Sequence, residues 1–235
     1  MFPLRDNIPT DRFPVVTVAL IVANVLVYFL LQDGRLGLPS GPSDWPTGTY
    51  GVIPCELTGA DPCAAAPGGP STVVTVFTSM FMHGSILHLG GNMLFLWIFG
   101  NNVEDRLGIP KFVGFYVLGG VIAVAAQTAF SPGSDVPTIG ASGAVAAVLG
   151  GYLLLFPKAR VVTFVFIIFF FTILELPAII FLGIWILQQA LFAYFDLLQP
   201  SSEGGGVAYF AHIGGFVFGL LAVRALARRK EPRSR

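Results

Sequence analysis

Long apolar runs are the feature of this sequence that most limits what it can fold into. Hydrophobic residues make up 54% of its 235 residues and charged residues 11%, whereas a soluble domain carries about 25% charged residues. So few charges cannot cover a water-facing surface, and about 20 apolar residues suffice for one helical crossing of a bilayer. The candidate spans are residues 14–31, 78–100, 112–130, 142–156, 178–195 and 208–227. We therefore predict an all-α membrane protein, a bundle of six transmembrane helices in a single polytopic domain over residues 1–235.

The distribution of basic residues predicts the orientation of these spans. The first run, residues 13–31, is too long for the core of a signal peptide and is interpreted as a retained span. With six spans, the side that holds both termini carries twelve lysines and arginines, and the other side carries one, Arg35. Because positively charged loops stay in the cytoplasm, both the N- and the C-terminus are predicted to be cytoplasmic. A seventh span over residues 161–174 would reverse this bias, and so short a run suits an interfacial or buried segment better.

Cys55 and Cys63 lie in the predicted outer loop, residues 33–70. An extracytoplasmic compartment permits disulfides, so we predict a structural disulfide between them, with two unpaired thiols as the alternative. The formal net charge of zero argues against a nucleic-acid partner, since such partners attract strongly basic surfaces.

All three histidines of the chain, His83, His88 and His212, fall within predicted spans. Polar groups at membrane depth are costly and usually functional. His88 and Asn92 are four residues apart and share one helix face, so they form a paired donor site, with helix–helix hydrogen bonding by Asn92 as the structural alternative. His83 lies about 140° from His88 around the predicted helix, and we expect it to fix the neighbouring loop.

A second cluster, Gly140, Ser142 and Gly143, follows a turn-rich loop and opens a helix. A helix over residues 143–156 is about 21 Å long, whereas the hydrocarbon is about 30 Å thick. Its cytoplasmic end is anchored by basic residues, so Ser142 is predicted to lie below the outer surface. Irregular backbone survives at that depth only inside protein or beside a water-filled cavity. A serine there suits hydrolysis; a serine N-cap between packing glycines is the alternative.

The third cluster lies on the last predicted helix, where His212, Gly215 and Gly219 share one face. Small residues of this kind let helix backbones approach closely. The fourth predicted helix offers a matching face of small residues, made of Ser142, Ala146 and Gly150. Packing the two faces together would bring His212 over Ser142.

Ser142 and His212 are the residue types that nucleophilic catalysis requires. A serine hydroxyl attacks efficiently when a base takes its proton, and His212 can do this and later protonate the leaving amine. The oxyanion that forms needs donors aimed at it; the candidates are the backbone N–H of Ser142, the Asn92 amide and the His88 imidazole. No acidic residue lies at comparable depth in the predicted spans, which indicates a Ser/His dyad.

Taken together, the three clusters resemble the rhomboid family of intramembrane serine proteases over roughly residues 70–225. The stretch from Gly100 to Gly108, which includes Glu104 and Arg106, also resembles the cytoplasmic end of the family's second span. The resemblance implies a six-helix bundle around a water-filled cavity and cleavage of peptide bonds in or near transmembrane segments of protein substrates in the lipid bilayer. It implies no metal and no organic cofactor. The expected location is the cell (plasma) membrane, with the active site opening to the extracytoplasmic side.

Carried over position by position, the resemblance makes Ser142 the nucleophile and His212 the general base. His88 and Asn92 become oxyanion donors, and His83 matches a further histidine of the family. The glycines expected to support the site are Gly140, Gly143, Gly215 and Gly219.

Two features depart from the family pattern. Ala146 stands where many members have a tyrosine that stacks on the catalytic histidine, so this stack must be absent or come from elsewhere. The loop over residues 33–70 shows no clear Trp-Arg pair.

Three other functions stay open at this point. His88, Asn92 and His212 could line the pore of a transporter, but the cluster around Ser142 would then have no task. The three histidines could bind zinc, although no carboxylate second shell is evident. The chain could also be a catalytically inactive relative that binds transmembrane clients, against which stands the intact Ser142/His212 pair.

Overall fold

The structure, a computed structural model, describes residues 1–32, 45–61, 63, 69–167, 170–198 and 207–227 of the chain. Helices make up most of it, and a small sheet joins them. The elements in chain order are β1 (Phe2–Asp6), α1 (Val15–Gln32), α2 (Trp45–Tyr50), α3 (Pro54–Thr58), α4 (Thr72–Phe81), α5 (Ile86–Leu107), α6 (Ile109–Phe130), α7 (Ser142–Leu155), β2 (Arg160–Ile167), β3 (Phe170–Pro177), α8 (Ala178–Leu198) and α9 (Tyr209–Leu226).

Helix α7 is the centre of the bundle. Every residue over positions 143–152 is buried, whereas the other long helices each expose many apolar side chains. Helices α6, α8 and α9 and the middle of α5 pack around it. A helix that is apolar all round and rich in glycine and alanine fits such a central position, because small side chains let its neighbours come close.

Four of the described helices, α1, α6, α8 and α9, are long and apolar enough to cross a membrane. Helices α4 and α5 qualify as one broken span, bent by 81° at the break, and α7 is apolar but has only 14 residues. The predicted span over residues 78–100 is therefore wrong in outline: its helix begins at Ile86. The break has a local cause, since Oγ of Ser85 accepts a hydrogen bond from the backbone N–H of His88 at 3.1 Å and caps the new helix.

Residues 161–174, expected to be an interfacial or buried segment, lie in a β-hairpin. Strands β2 and β3 pair antiparallel, and β1 from the N-terminus pairs antiparallel with β2. The described part of the chain is thus mostly helical, as predicted, but it also holds a three-stranded sheet, which the all-α prediction did not include. Burial along β2 alternates, with Val161, Thr163 and Val165 buried and Phe166 exposed, which is the period of a strand. The β-branched and aromatic residues of this run favour strand over helix.

Asp6 at the end of β1 ties the sheet to the helices. Its Oδ2 accepts a hydrogen bond from the Tyr152 hydroxyl of α7 at 2.5 Å and another from Nδ2 of Asn102 in α5 at 2.8 Å. Burial raises the pKa of the Asp6 carboxyl, and the hydrogen bond from Tyr152 opposes this effect. The sheet is thus anchored in the bundle through a polar contact as well as through apolar packing.

The start of α1 is capped by a carboxylate from another helix. Glu104 of α5 is buried and accepts hydrogen bonds from the backbone N–H groups of Val16 and Thr17, at 2.9 and 2.8 Å, and from the Thr17 hydroxyl at 2.8 Å. The residue at the N-cap position, Pro14, makes no side-chain capping bond. An anion at a helix N-terminus satisfies free N–H donors and complements the helix dipole.

We expect Glu104→Ala to lower the free energy of unfolding by about 3 kcal/mol, because it leaves buried donors of α1 without acceptors. Chemical unfolding in detergent micelles measures this change. The control is Glu175→Ala, which removes a carboxylate that is half exposed and lies 3.3 Å from Arg160; an exposed ion pair of this kind contributes less than about 1 kcal/mol. Equal losses for the two variants would contradict the capping role.

Candidate active site

Ser142 and His212 lie next to each other at the N-terminal ends of two neighbouring helices. Ser142 is the first residue of α7, and His212 lies in the first turn of α9. The Oγ atom of Ser142 is 2.8 Å from Nε2 of His212, which is hydrogen-bond distance. Ser142 is half-buried and His212 is buried. The two residues therefore have the geometry of a nucleophile–base pair.

Glycines bring these two helices together. A Cβ atom on Gly215 would overlap the carbonyl oxygen of Gly143, and one on Gly219 would overlap the carbonyl oxygen of Ala147. Gly150 of α7 is packed equally tightly, since a Cβ atom at this position would overlap a carbonyl oxygen of α9. The expected close packing of the two small-residue faces is found, and the α7 face includes Gly143 and Ala147 beside Ala146 and Gly150.

The segment that leads into Ser142 is held by the outer loop. Val52 pairs with Thr138 through two backbone hydrogen bonds of 3.1 and 2.8 Å, and the backbone N–H of Cys55 donates to the carbonyl of Ser134 at 3.0 Å. The predicted disulfide between Cys55 and Cys63 is present and links two positions in the second half of this loop. These bonds fix the approach of the chain to α7.

Gly140 shapes the space beside the serine. Its φ of 119° is a conformation that residues with side chains rarely adopt. A Cβ atom here would lie 2.8 Å from Nε2 of His88 and 3.5 Å from Oγ of Ser142. The absence of a side chain at Gly140 thus leaves room between the imidazole of His88 and the serine hydroxyl.

His88 of α5 lies beside Gly140, and Asn92 follows one turn later on the same helix. Asn92 is buried, and its Nδ2 has no hydrogen-bond partner among the described residues. An unpaired buried amide donor is costly, so the amide of Asn92 keeps a donor that no described residue uses. The Nδ1 atom of His88 is 3.4 Å from the backbone N–H of Gly84, which leaves its Nε2 next to Gly140.

His83 is placed differently from the prediction. It lies in the break between α4 and α5 and not on the helix of His88, because α5 begins only at Ile86. The side-chain amide of Gln32, at the end of α1, accepts a hydrogen bond from the backbone N–H of His83 at 2.9 Å and donates one to the backbone carbonyl of His83 at 3.0 Å. The ring of His83 is buried and meets the ring of His88 edge-on, with the centroids 5.0 Å apart. Its contacts support the neighbouring imidazole and do not reach Ser142.

Two residues of α8 near the pair were missed or undervalued from the sequence. Gln189 is buried and lies 2.8 Å from His212 through its Oε1 atom. A polar residue inside an apolar helix was the available signal, the same one that singled out Asn92. Trp185 lies one turn before Gln189 on α8, and its ring centroid is 5.8 Å from that of His212.

The described residues contain no group of three or more His, Cys, Asp or Glu side chains arranged to hold a metal ion. The rings of His83 and His88 lie together, but His212 is engaged with Ser142 and Gln189. The arrangement therefore offers acid–base and hydrogen-bonding chemistry from its own side chains.

Comparison with known proteins gives the same family as these motifs. Residues 70–229 match the rhomboid domain family. The chain is 32% identical over 153 residues to Rhomboid protein 1, mitochondrial, of Saccharomyces cerevisiae, covering 63% of this chain and 40% of the yeast protein. It is 28% identical over 173 residues to Presenilin-associated rhomboid-like protein A, mitochondrial, of Danio rerio, covering 71% and 42%. It is 31% identical over 144 residues to Rhomboid protease GlpG of Salmonella paratyphi A, covering 61% and 45%.

These relatives also correct one prediction. The chain matches less than half the length of each of them, and the yeast and zebrafish proteins are named as mitochondrial. The predicted plasma-membrane location is contradicted by this comparison; resemblance to the family does not by itself fix the compartment. The family itself is secure, because the matched domain covers most of the sequence: this chain is a member of the rhomboid family.

Proposed function

We propose that this chain is an intramembrane serine endopeptidase that hydrolyses peptide bonds in or near the transmembrane segments of membrane proteins. The observation that carries the proposal is the 2.8 Å contact between Oγ of Ser142 and Nε2 of His212, placed where a central apolar helix begins. In this mechanism Ser142 is the nucleophile and His212 the general base, and no metal or organic cofactor takes part.

The reaction would run in two halves. His212 takes the proton of Ser142 as Oγ attacks the scissile carbonyl carbon, and a tetrahedral oxyanion forms. His212 then returns the proton to the leaving amine, and an acyl-enzyme remains. A water molecule, activated by the same imidazole, hydrolyses the acyl-enzyme and restores the hydroxyl of Ser142. A cavity of about 20 Å³ lies beside Ser142, enough for about one water molecule.

Three donors would stabilise the oxyanion. The backbone N–H of Ser142 belongs to the first turn of α7, where N–H groups have no partner within the helix. The unpaired Nδ2 of Asn92 and the Nε2 of His88 beside Gly140 supply side-chain donors from α5. Preorganised donors of this kind stabilise developing charge because they need no reorientation during the reaction.

We expect Asn92→Ala to lower kcat about 10²-fold with little change in KM, because the donor acts on the oxyanion and not on the bound substrate. Steady-state cleavage of a transmembrane peptide measures both constants. The matched control is Asn101→Ala, which changes an asparagine further along α5, about 13 Å of helix away; it should leave kcat unchanged. A rise in KM alone for Asn92→Ala would contradict the oxyanion role.

We infer six spans for the membrane arrangement, with α4 and α5 as one broken span and α7 as a short span inside the bundle. All residues, 1–235, would form one membrane domain around a rhomboid core of about residues 70–225. The short α7 supports a serine below the membrane surface, since a 14-residue helix is about 21 Å long. Both termini would lie on the more basic side. The names of the yeast and zebrafish relatives favour a mitochondrial membrane.

The experiment that tests the function is cleavage in proteoliposomes. The purified full chain is reconstituted with a panel of single-span substrate proteins, and the products are mapped by mass spectrometry, with and without a metal chelator. The proposal expects cuts within or next to the transmembrane segment that do not depend on chelator. A folded chain that cuts nothing in the panel would favour an inactive client-binding scaffold, and chelator-sensitive cleavage would favour a metal site.

A further inference from the structure

The imidazole of His212 has a second hydrogen-bond partner, on the side away from Ser142. Its Nδ1 atom lies 2.8 Å from Oε1 of Gln189 in α8. Gln189 is 7% exposed, whereas the adjacent Gln188 is exposed. Among the described residues no carboxylate is hydrogen-bonded to His212. The amide of Gln189 therefore occupies the place on the ring that an aspartate takes in a catalytic triad.

The other end of the Gln189 amide decides which atom faces the histidine. Its Nε2 donates to the backbone carbonyl of Trp185, one turn earlier on α8, at 3.4 Å. Oε1 is then the atom turned toward His212, and an amide oxygen can only accept a hydrogen bond. Nδ1 must carry the hydrogen, which leaves the lone pair of Nε2 facing the hydroxyl of Ser142. This is the one neutral tautomer that can take the serine proton.

Trp185 adds a ring contact from the same helix. Its ring centroid lies 5.8 Å from that of His212, and 6.0 Å from that of Phe216 on α9. The buried Ala146, one turn after the serine, offers no ring. Helix α8 thus supplies His212 with both an acceptor and an aromatic neighbour, so the orientation of the imidazole depends on how α8 packs against α9.

We propose that Gln189 is a positioning residue for the Ser142–His212 pair, whose amide oxygen holds His212 in the Nδ1–H tautomer and aims Nε2 at Ser142. This inference deepens the proposed protease function and rests on it. Gln189 acts through His212 and does not touch the reacting atoms. Because the amide is neutral, it fixes the direction and the tautomer of the ring without the charge that a carboxylate would add to favour the imidazolium form.

The test compares four variants of the full chain in proteoliposomes. Gln189→Leu removes the acceptor, and Gln189→Glu keeps an acceptor oxygen but adds charge. Gln188→Leu and Gln188→Glu make the same changes at the exposed neighbour on α8. Each protein is assayed for kcat and KM on a fluorogenic transmembrane peptide across pH, and for the rate at which a fluorophosphonate probe labels Ser142.

For Gln189→Leu we expect kcat and the labelling rate to fall about 10- to 100-fold, with KM unchanged, as for other groups that orient a reacting side chain. For Gln189→Glu we expect most of the rate to return at high pH. The acid limb of its pH–rate profile should move up by at least about one pH unit, because a carboxylate beside the ring stabilises protonated His212. Within the described part of the chain, the other titratable group that acts on the ring is His88 on α5, which is the same in every variant.

Any of three results would overturn the inference. Gln189→Leu could keep the wild-type kcat, Gln189→Glu could leave the acid limb of the pH–rate profile unmoved, or the Gln188 variants could lose as much kcat as the Gln189 variants. A merely structural role would lower the folded fraction without moving the acid limb. A failure of the proposed protease function would give a different result. If the folded wild type neither cleaves substrate nor is labelled at Ser142, both the protease function and the inference about Gln189 are wrong. Labelling at Ser142 that Gln189 does not affect overturns the inference alone.

Discussion

Replacing Ser142 by alanine is expected to lower kcat by about 10⁴-fold or more, and replacing His212 should do nearly the same. Members of a nucleophile–base pair act as a unit, so removing either one abolishes the covalent route. The residual rate would come from the oxyanion donors and from substrate binding alone. For the same reason, the variant that lacks both side chains should have a kcat no lower than that of the slower single variant.

Cleavage of a reconstituted transmembrane substrate measures these losses, over hours for the slow variants. Ser131→Ala is the matched control, because this serine lies at the end of α6 and makes no side-chain hydrogen bond within the described part of the chain; its activity should equal that of the wild type. Thermal unfolding in detergent verifies that all variants are folded. Cleavage that survives in either Ser142→Ala or His212→Ala would exclude the dyad.

Replacing Gly219 by alanine is expected to destabilise the folded bundle by about 3 kcal/mol or more. The new Cβ would overlap the carbonyl oxygen of Ala147 and lie 2.9 Å from the backbone N of Gly151. Backbone atoms cannot turn aside as a side chain can, so α7 and α9 must separate, and overpacking of a tight interface is costly. The separation would also displace His212 from Ser142, and a shift of about 1 Å can cost about 10²-fold in rate.

Chemical unfolding in detergent, together with the cleavage assay, measures both effects. Gly114→Ala on α6 is the matched control, because nothing lies within 4 Å of the Cβ position at Gly114. Alanine should there stabilise the helix by about 0.5–1 kcal/mol, since glycine is the poorer helix former. A Gly219→Ala protein as stable and as active as the wild type would show that the two helices are not packed as closely as described.

The central pair was predictable because each of its residues breaks an apolar pattern. A histidine or serine inside a hydrophobic run stands out, and the small residues around Ser142 and His212 predicted that their helices pack together. Gln189 carries the same signal on α8 but has no motif beside it. The proposed role of Gln189 depends on its contact with His212, which lies 23 positions later in the sequence and on another helix. Helix periodicity alone does not predict such a contact.

The sheet could not be derived from hydropathy. A short apolar run fits a buried strand or a buried helix equally well, so residues 161–174 were left undecided between interfacial and buried positions. Strand β1 has only five residues, and its partner lies far along the chain. The break at His83 was missed for a different reason: hydropathy joins α4 and α5 into one run, whereas the cap at Ser85 separates them.

The Ser142–His212 pair is tested by identifying which residue a fluorophosphonate probe modifies in the reconstituted wild-type chain, using peptide mass spectrometry. We predict a single adduct on Ser142, with cleavage lost in proportion to labelling, and no adduct in His212→Ala. A folded chain that acquires no adduct at Ser142, or that keeps cleaving its substrate once Ser142 is fully modified, would contradict this prediction.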